Sequence, residues 1–517
     1  MSTEQPDDLP RRSALKQAAL GGAALVAESV ISGGGGGGGH QARAAIEQVA
    51  AKDAWLAERA SCVSGNRLLT TIVGEPVRTK ARAIYRPGAA REIADLLRSL
   101  PPGTPVASVC GGHESSNAAA VAGDSAVILD LARLASIDFH QEGGRRLVTV
   151  GGGVVFRELV EAVRAHKAAL PVGTGPGVGV VGYLVNGGLS GYFSRRLGLL
   201  GQRVTKLTVV TAAGEIRVVT PDDALFTALL GAGSALAVVA DVTLELAPEG
   251  VVKGAEQRVV AFKTREEAVA FAREALRMQR DRVLTDDSVS MELVVAGTKV
   301  LVATVVFYDS FRGSMADFVS PLEKLAARLG LPVVAAAHFG SWFETAAALW
   351  PVIDGMKGSP LAMLQHCLGT EAAPTDAVIA AVCDTVVAHA PLDEAPLSIV
   401  EIRTLGGAAI AMRPLPTGNC RHRFFVDLIT MYDAKDKTAA ERRAIADMTR
   451  GVVGKARGVA GLAVDFSGTH SQPDDPGTDV SPAVIFGTEA MAEMVRDQKK
   501  RVDPDNRFRY HPFAKFL

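Results

Sequence analysis

Short apolar runs broken by Gly, Pro and Asp alternate with stretches of helical spacing from residue 83 to residue 249. Ala83-Ile84-Tyr85 reads as a strand, and residues 89–100 carry apolar side chains at helical spacing until Pro101-Pro102-Gly103 ends the helix. Strands are predicted at 106–109, 126–131 and 147–151, with a helix at 156–166. Residues 204–211 and 215–219 flank Ala212-Ala213-Gly214 as a hairpin, and 238–246 is an apolar-rich strand. Beyond residue 250 the pattern changes. Helices are predicted at 264–280, 315–329 and 439–453, with Pro321 expected to kink or restart the second. Strands fall between them, at 299–308, 397–403 and 423–429. Strands with segregated helices predict an α+β unit, one sheet with helices on a face. A stretch rich in Gly, Pro and Asp at 468–482 precedes a last helix at 491–500 and a turn at 503–508. No internal repeat is evident.

A chain of 517 residues is too long for one hydrophobic core. The change of pattern places its boundaries at 45–249, 250–480 and 481–517. A hydrophobic fraction of 48% and a charged fraction of 21% are those of a soluble globular protein. A net charge of −1 offers no basic excess to neutralise phosphates, which argues against a nucleic-acid partner. Cys62, Cys110, Cys367, Cys383 and Cys420 show no short paired spacing, so neither a zinc cluster nor a dense disulfide framework is expected, while one disulfide stays open. His338, His366, His389 and His470 lack metal-ligand spacing, and no metal is expected. The first 44 residues read as targeting rather than fold. Arg11-Arg12-Ser13-Ala14-Leu15-Lys16 and the mildly apolar run 17–27 resemble a twin-arginine export signal, too short to span a bilayer. A polyglycine linker at 33–39 and a cleavage site at Ala42-Arg43-Ala44 follow. Export of the folded chain is the expectation; a disordered arm on a cytoplasmic protein is the alternative.

Three glycine-rich segments carry the chemistry: Cys110-Gly111-Gly112-His113, residues 170–179, and Asn186-Gly187-Gly188-Leu189-Ser190-Gly191. Consecutive glycines let backbone N–H groups approach a phosphate without a Cβ in the way. Taken alone, Gly-Gly-His is more often a turn with an exposed histidine. Gly177-Val178-Gly179-Val180-Val181-Gly182 satisfies the G-x-G-x-x-G pattern of nicotinamide dinucleotide sites. However, Gly187-Gly188 interrupts any long helix there, and residues 204–210 hold no acid to bind a ribose. An NAD site is therefore not expected.

Taken in order, these segments resemble the berberine-bridge-enzyme-like branch of the vanillyl-alcohol-oxidase flavoproteins. Gly111-Gly112-His113 is similar to that family's Arg-Ser-Gly-Gly-His loop, with Val109 and Cys110 replacing Arg-Ser. Residues 171–180 are similar to its Pro-Ala-Gly-Thr-Cys-Pro-Thr-Val-Gly-Val loop, with Gly175 standing where a flavin-linking cysteine would be. Residues 186–199, 209–214, 223–233, 401–408 and 503–508 continue the match, which covers about 75–515. The resemblance implies an α+β, two-domain PCMH-type FAD-binding fold: an FAD domain at 45–249, an antiparallel substrate domain at 250–480, and a C-terminal segment returning to the FAD domain. It implies FAD bonded through its 8α-methyl group to His113 alone, since the second, cysteinyl link is lost at Gly175. Flavin contacts are expected from Gly111, Gly112, His113 and Glu114; from Gly173, Thr174, Gly175, Gly177, Val178 and Gly182; from Asn186, Gly187, Gly188 and Gly191; and from Val239, Asn506 and Phe508.

Oxidising a C–H bond beside a hydroxyl needs the carbon near flavin N5 and a base for the hydroxyl proton. Relatives use a Tyr before a C-terminal Gly-x-Asn segment, or a Glu in the substrate domain. Here Val484-Ile485-Phe486-Gly487-Thr488-Glu489 has no Tyr, and Met412-Arg413-Pro414-Leu415 has no acid. Candidates for the base are Tyr183, Tyr192, Glu401, Tyr432 and His422, each of a type more often found packing or on the surface. The expected function is oxidation of an alcohol carbon of a small molecule such as a natural product or sugar, with O₂ as acceptor. A dehydrogenase or oxidative cyclase with another acceptor, and a flavin-binding protein without redox turnover, are the alternatives. Gly175 is expected to leave room for a bulky substrate.

Overall fold

The computed structural model describes residues 46–50, 52–62, 79–113, 123–298, 300–309, 315–357, 359–459, 461–465, 481–511 and 513–517. The export signal and glycine linker, Glu114 and most of the 468–482 stretch lie outside the described residues.

The early alternation of strand and helix builds two small sheets. β1 (Glu47–Gln48), β2 (Ala83–Arg86), β3 (Val106–Val109) and β4 (Val127–Asp130) lie in the order β1-β2-β4-β3, with β2 and β3 both parallel to β4. Parallel strands need a crossover. The helix Ala90–Ser99 supplies it and buries Ile93, Ala94, Leu96 and Leu97 in a core shared with Val106, Val127 and Leu129. The second sheet is antiparallel: β5 (Ile137–Glu142), β6 (Arg145–Gly151), β8 (Val204–Val210), β9 (Ile216–Val219) and β10 (Val238–Glu245) in the order β5-β6-β10-β8-β9. β7 (Ala168–Ala169) and β11 (Ala247–Pro248) form a short ribbon.

The chain returns to this unit at its end. On the helix Glu489–Val502, Lys499 donates to Ala235 O at 2.6 Å and pairs with Asp503 at 2.7 Å. Arg507 donates to Leu97 O at 2.7 Å and Ala212 O at 2.8 Å.

The remaining strands make one antiparallel sheet: β12 (Gly254–Phe262), β13 (Val289–Ala296), β14 (Leu301–Asp309), β15 (Val333–Phe339), β16 (Leu361–Thr370), β17 (Ile399–Thr404), β18 (Phe424–Asp433) and β19 (Ala463–Asp465). Their order is β15-β12-β14-β13-β17-β18-β16-β19. Side chains alternate between its faces. One face, including Met291, Leu293, Val305, Ile402 and Val426, joins a core with the helices Arg265–Met278, Ala316–Arg328 and Ala439–Ala456. The other face carries the candidate site.

Pro321 does not restart its helix: Ala316–Arg328 is continuous around it. The proline removes only one backbone donor, and the carbonyl of Asp317 accepts from Arg282 at 3.5 Å instead. The two units are stapled by Arg195, which is almost fully buried and donates to Val289 O at 3.0 Å, Leu405 O at 2.5 Å and Val283 O at 3.1 Å.

Candidate active site

The first two glycine segments press together, backbone against backbone. A Cβ on Gly111 would lie 2.3 Å from Gly179 N, and one on Gly179 would lie 2.2 Å from Cys110 Sγ and 2.5 Å from Gly111 N. No side chain fits at either position. Burial raises the Cys110 thiol to about 11, so it is a packing group rather than a nucleophile. Only a five-residue helix, Val180–Leu184, follows the G-x-G-x-x-G run, unlike the long helix of a nicotinamide dinucleotide site. Asn186 donates to Gly182 O at 2.8 Å, and its buried Oδ1 has no hydrogen-bond partner among the described residues. That oxygen is an acceptor suited to the N–H of a bound heterocycle.

These loops form one wall of a cavity of about 370 Å³ whose opposite wall is the open face of the eight-stranded sheet. His113, Gly173, Thr174, Gly175, Val178 and Gly191 line it, together with Tyr183 and Tyr192. Glu401 faces them from β17. Gly111, Gly112, Gly177, Gly182, Asn186, Gly187 and Gly188 are not part of the lining and sit in the loops that carry it.

Other sequence-predicted positions fall elsewhere. Val239 is buried in β10 within the main core. Phe508 is buried beside Ile93 and Leu129, and Asn506 is an exposed turn residue with φ +49. The segment carrying these last two clamps the fold and does not reach the cavity, because Asp503 accepts the backbone N–H groups of Arg507 at 2.7 Å and Phe508 at 2.9 Å. Tyr432 points to the wrong face: on β18, Asp427, Ile429 and Met431 face the cavity, whereas Tyr432 packs with Ala362, Ala395 and Ile445. His422 is buried in the turn ahead of β18, outside the lining. The space expected at Gly175 is taken up in part, since a Cβ there would meet Val178 Cγ2 at 2.8 Å.

The polar end of the cavity is built around Arg403. Its Nε donates to Glu292 at 3.0 Å, it pairs with Glu401, and its guanidinium lies 3.6 Å from Asp427. Register sets this cluster: Glu292 is opposite Arg403, and Glu401 is opposite Asp427. Three buried carboxyls share one cation, so they do not all ionise. Burial and then the neighbouring Glu401, which also hydrogen-bonds it, raise Glu292 well above the usual carboxylate range. Burial raises Asp427 to about 6, with Arg403 opposing the rise. Tyr308 donates to Glu292 at 3.0 Å and stacks on Tyr192, with ring centroids 4.3 Å apart. Burial first holds both phenols well above their ordinary range, followed by Glu292 and Glu401 for Tyr192 and by Tyr192 and Glu292 for Tyr308. Tyr183, also raised by burial, donates to Leu189 O.

Sequence reasoning missed Glu292, Tyr308 and Asp427. The available signal was a lone acid inside an apolar strand, as in Met291-Glu292-Leu293 and Val426-Asp427-Leu428.

Residues 81–220 match the family model of an FAD binding domain. The chain is 33% identical to (R)-6-hydroxynicotine oxidase of Paenarthrobacter nicotinovorans, over 26% of this chain and 29% of that protein. It is 32% identical to alditol oxidase of a Streptomyces species, over 32% of this chain and 39% of that protein. The matches thus span well under half the length of these curated relatives. A solved variant of berberine bridge enzyme superposes with a TM-score of 0.71 at 17% identity, covering 89% of this chain and 93% of that one. Residues 81–220 thus form an FAD binding domain, within a fold shared with berberine bridge enzyme.

The loops of this flavoprotein fit the cofactor. Backbone N–H groups of the glycine segments would hold its diphosphate, Asn186 Oδ1 offers a buried acceptor, and His113 lines the cavity. Among the described residues no helix is long and apolar enough to cross a membrane.

Proposed function

We propose that this chain is an FAD-dependent oxidase that removes a hydride from an alcohol carbon of a small molecule, with its flavin bonded to His113 and O₂ as electron acceptor. The observation that carries this reading is the sharing of one cavity by His113 and the tyrosine–carboxyl cluster. Bound FAD supplies the hydride acceptor. The chain's own residues handle the proton. The Tyr192 ring stacks on Tyr308, and Tyr308 donates to Glu292 Oε2 at 3.0 Å. This chain can pass a substrate hydroxyl proton away from the reacting carbon. Arg403 fixes Glu401 and Glu292 and limits the negative charge at that end. The sheet on one side and the FAD-domain loops on the other shield the polar end from water. The names of the two relatives, a nicotine-derivative oxidase and an alditol oxidase, support a small-molecule substrate. The same reading includes twin-arginine export of the folded protein.

The test is a visible spectrum followed by acid precipitation of wild type and His113→Ala. Colour that stays in the wild-type pellet and leaves the variant's pellet supports the tether. Colour released from both removes the tether and keeps the flavoprotein. Rapid air reoxidation after photoreduction supports an oxidase; slow reoxidation identifies a dehydrogenase.

A further inference from the structure

The cavity changes character along its length. On β13, Glu292 is followed on the same face by Val294 and Ala296. On β17, Glu401 gives way to Ile399, and on β18, Asp427 gives way to Ile429 and then Met431. Strand pairing puts these changes in step: Ala296 lies opposite Ile399, which lies opposite Ile429. Ala296, Ile399 and Ile429 are apolar. The row ends at Gln365, opposite Ile429, and the Gln365 amide donates to Asp427 at 3.0 Å; Met431 opposite Met363 forms the next row. Leu349, Val352, Ile353 and Met356 line the cavity as well, from the segment around the helix Trp350–Asp354. Four residues of strand separate Asp427 from Met431, a span of about 13 Å at ~3.3 Å per residue.

The polar end is the one next to the FAD domain. A Cβ on Gly191 would lie 2.7 Å from Arg403 Cδ, and Tyr192 stacks on Tyr308. The apolar part offers little to a polyhydroxylated body. Ser398 Oγ accepts from Met431 N at 2.9 Å, and Thr345 Oγ1 donates to Ser341 O at 2.9 Å, so two of its hydroxyls are already engaged. Each sugar hydroxyl buried there without a partner would lose its hydrogen bonds to water. An anionic substrate meets three carboxyls and one arginine that they already surround.

We infer that the cavity takes an uncharged alcohol with one polar, reacting end and an apolar bicyclic-sized body, and that it discriminates against oligosaccharides and anions. The reacting end lies at the Tyr192–Glu292 cluster, an assignment that rests on the proposed flavin chemistry. The apolar body extends past Ile429 toward Met431.

Isothermal titration calorimetry on the full purified chain tests this, with 1-(2-naphthyl)ethanol and cellobiose as probes and a visible spectrum of the same sample. The naphthyl alcohol is expected to bind at least about tenfold more tightly than cellobiose. Ile429→Glu is expected to weaken the naphthyl alcohol by about tenfold or more while Ile429→Val stays within about threefold. Should Ile429→Glu not fold, Met431→Gln carries the same comparison. Cellobiose binding as tightly as the naphthyl alcohol overturns the inference, as does naphthyl binding indifferent to both wall changes. Calorimetry requires no turnover, so the two readings fail separately. A yellow protein that prefers cellobiose sinks the substrate class alone; a colourless protein, irreparable with FAD, that prefers the naphthyl alcohol sinks the flavin alone.

Discussion

Asp427→Asn removes a carboxyl from the polar end with almost no change in shape. Asp427 is fully buried and accepts from Cys367 Sγ at 2.7 Å and Gln365 Nε2 at 3.0 Å. Its folded pKa of about 6 results from burial, opposed by Arg403 and reinforced by Glu401. The unfolded value is about 3.9. The folded chain therefore holds this proton more tightly than the unfolded chain. The carboxyl's contribution to stability is fully present below about pH 4 and is lost as pH rises through about 6. A gap of about two pH units at ~1.4 kcal/mol each makes the loss about 3 kcal/mol. Asparagine has no such titration. The stability of the variant relative to wild type should therefore rise by about 3 kcal/mol between about pH 4 and pH 8, on top of any constant offset from the new amide contacts. Urea unfolding followed by tryptophan fluorescence across that range measures the difference. A difference that stays flat to within about 0.5 kcal/mol, or falls with pH, refutes the assignment of a raised pKa to this buried acid.

Gly179→Ala places a methyl group 2.5 Å from Gly111 N and 2.2 Å from Cys110 Sγ. The thiol can turn away but the backbone cannot, so the two loops should part, and the flavin-to-protein ratio at 450 nm should fall by about half or more against wild type. Glu292→Gln keeps the volume but removes the titratable carboxyl that accepts from Tyr308 and Arg403. Its kcat should drop by about 10²–10⁴ with KM within a few fold, and the pH–rate profile should lose a limb; a kcat within threefold of wild type would mean that the proton leaves by another route.

Much of this protein was legible in residue order because its cause is local. A strand delivering Gly111-Gly112-His113, the Ala212-Ala213-Gly214 hairpin turn and the 265–278 helix each follow from short-range periodicity or from backbone that only glycine permits. Motifs contiguous in the chain also named His113 and Glu401 as candidates, and both line the cavity. What the motifs left open is the floor. Glu292, Tyr308, Glu401, Arg403 and Asp427 come from four strands, and apart from the Glu401–Arg403 pair on β17 nothing near any one of them in sequence signals the others. Tyr432 shows why: a strand residue's face depends on parity, and parity acquires meaning only once register with its neighbours is set. That register depends on burial of the odd or even side chains against distant helices, a tertiary free energy. The chain by itself therefore determined a glycine-cradled cofactor site and two units. Long-range pairing decided which acids meet, how they share a proton, and where the apolar end of the cavity begins.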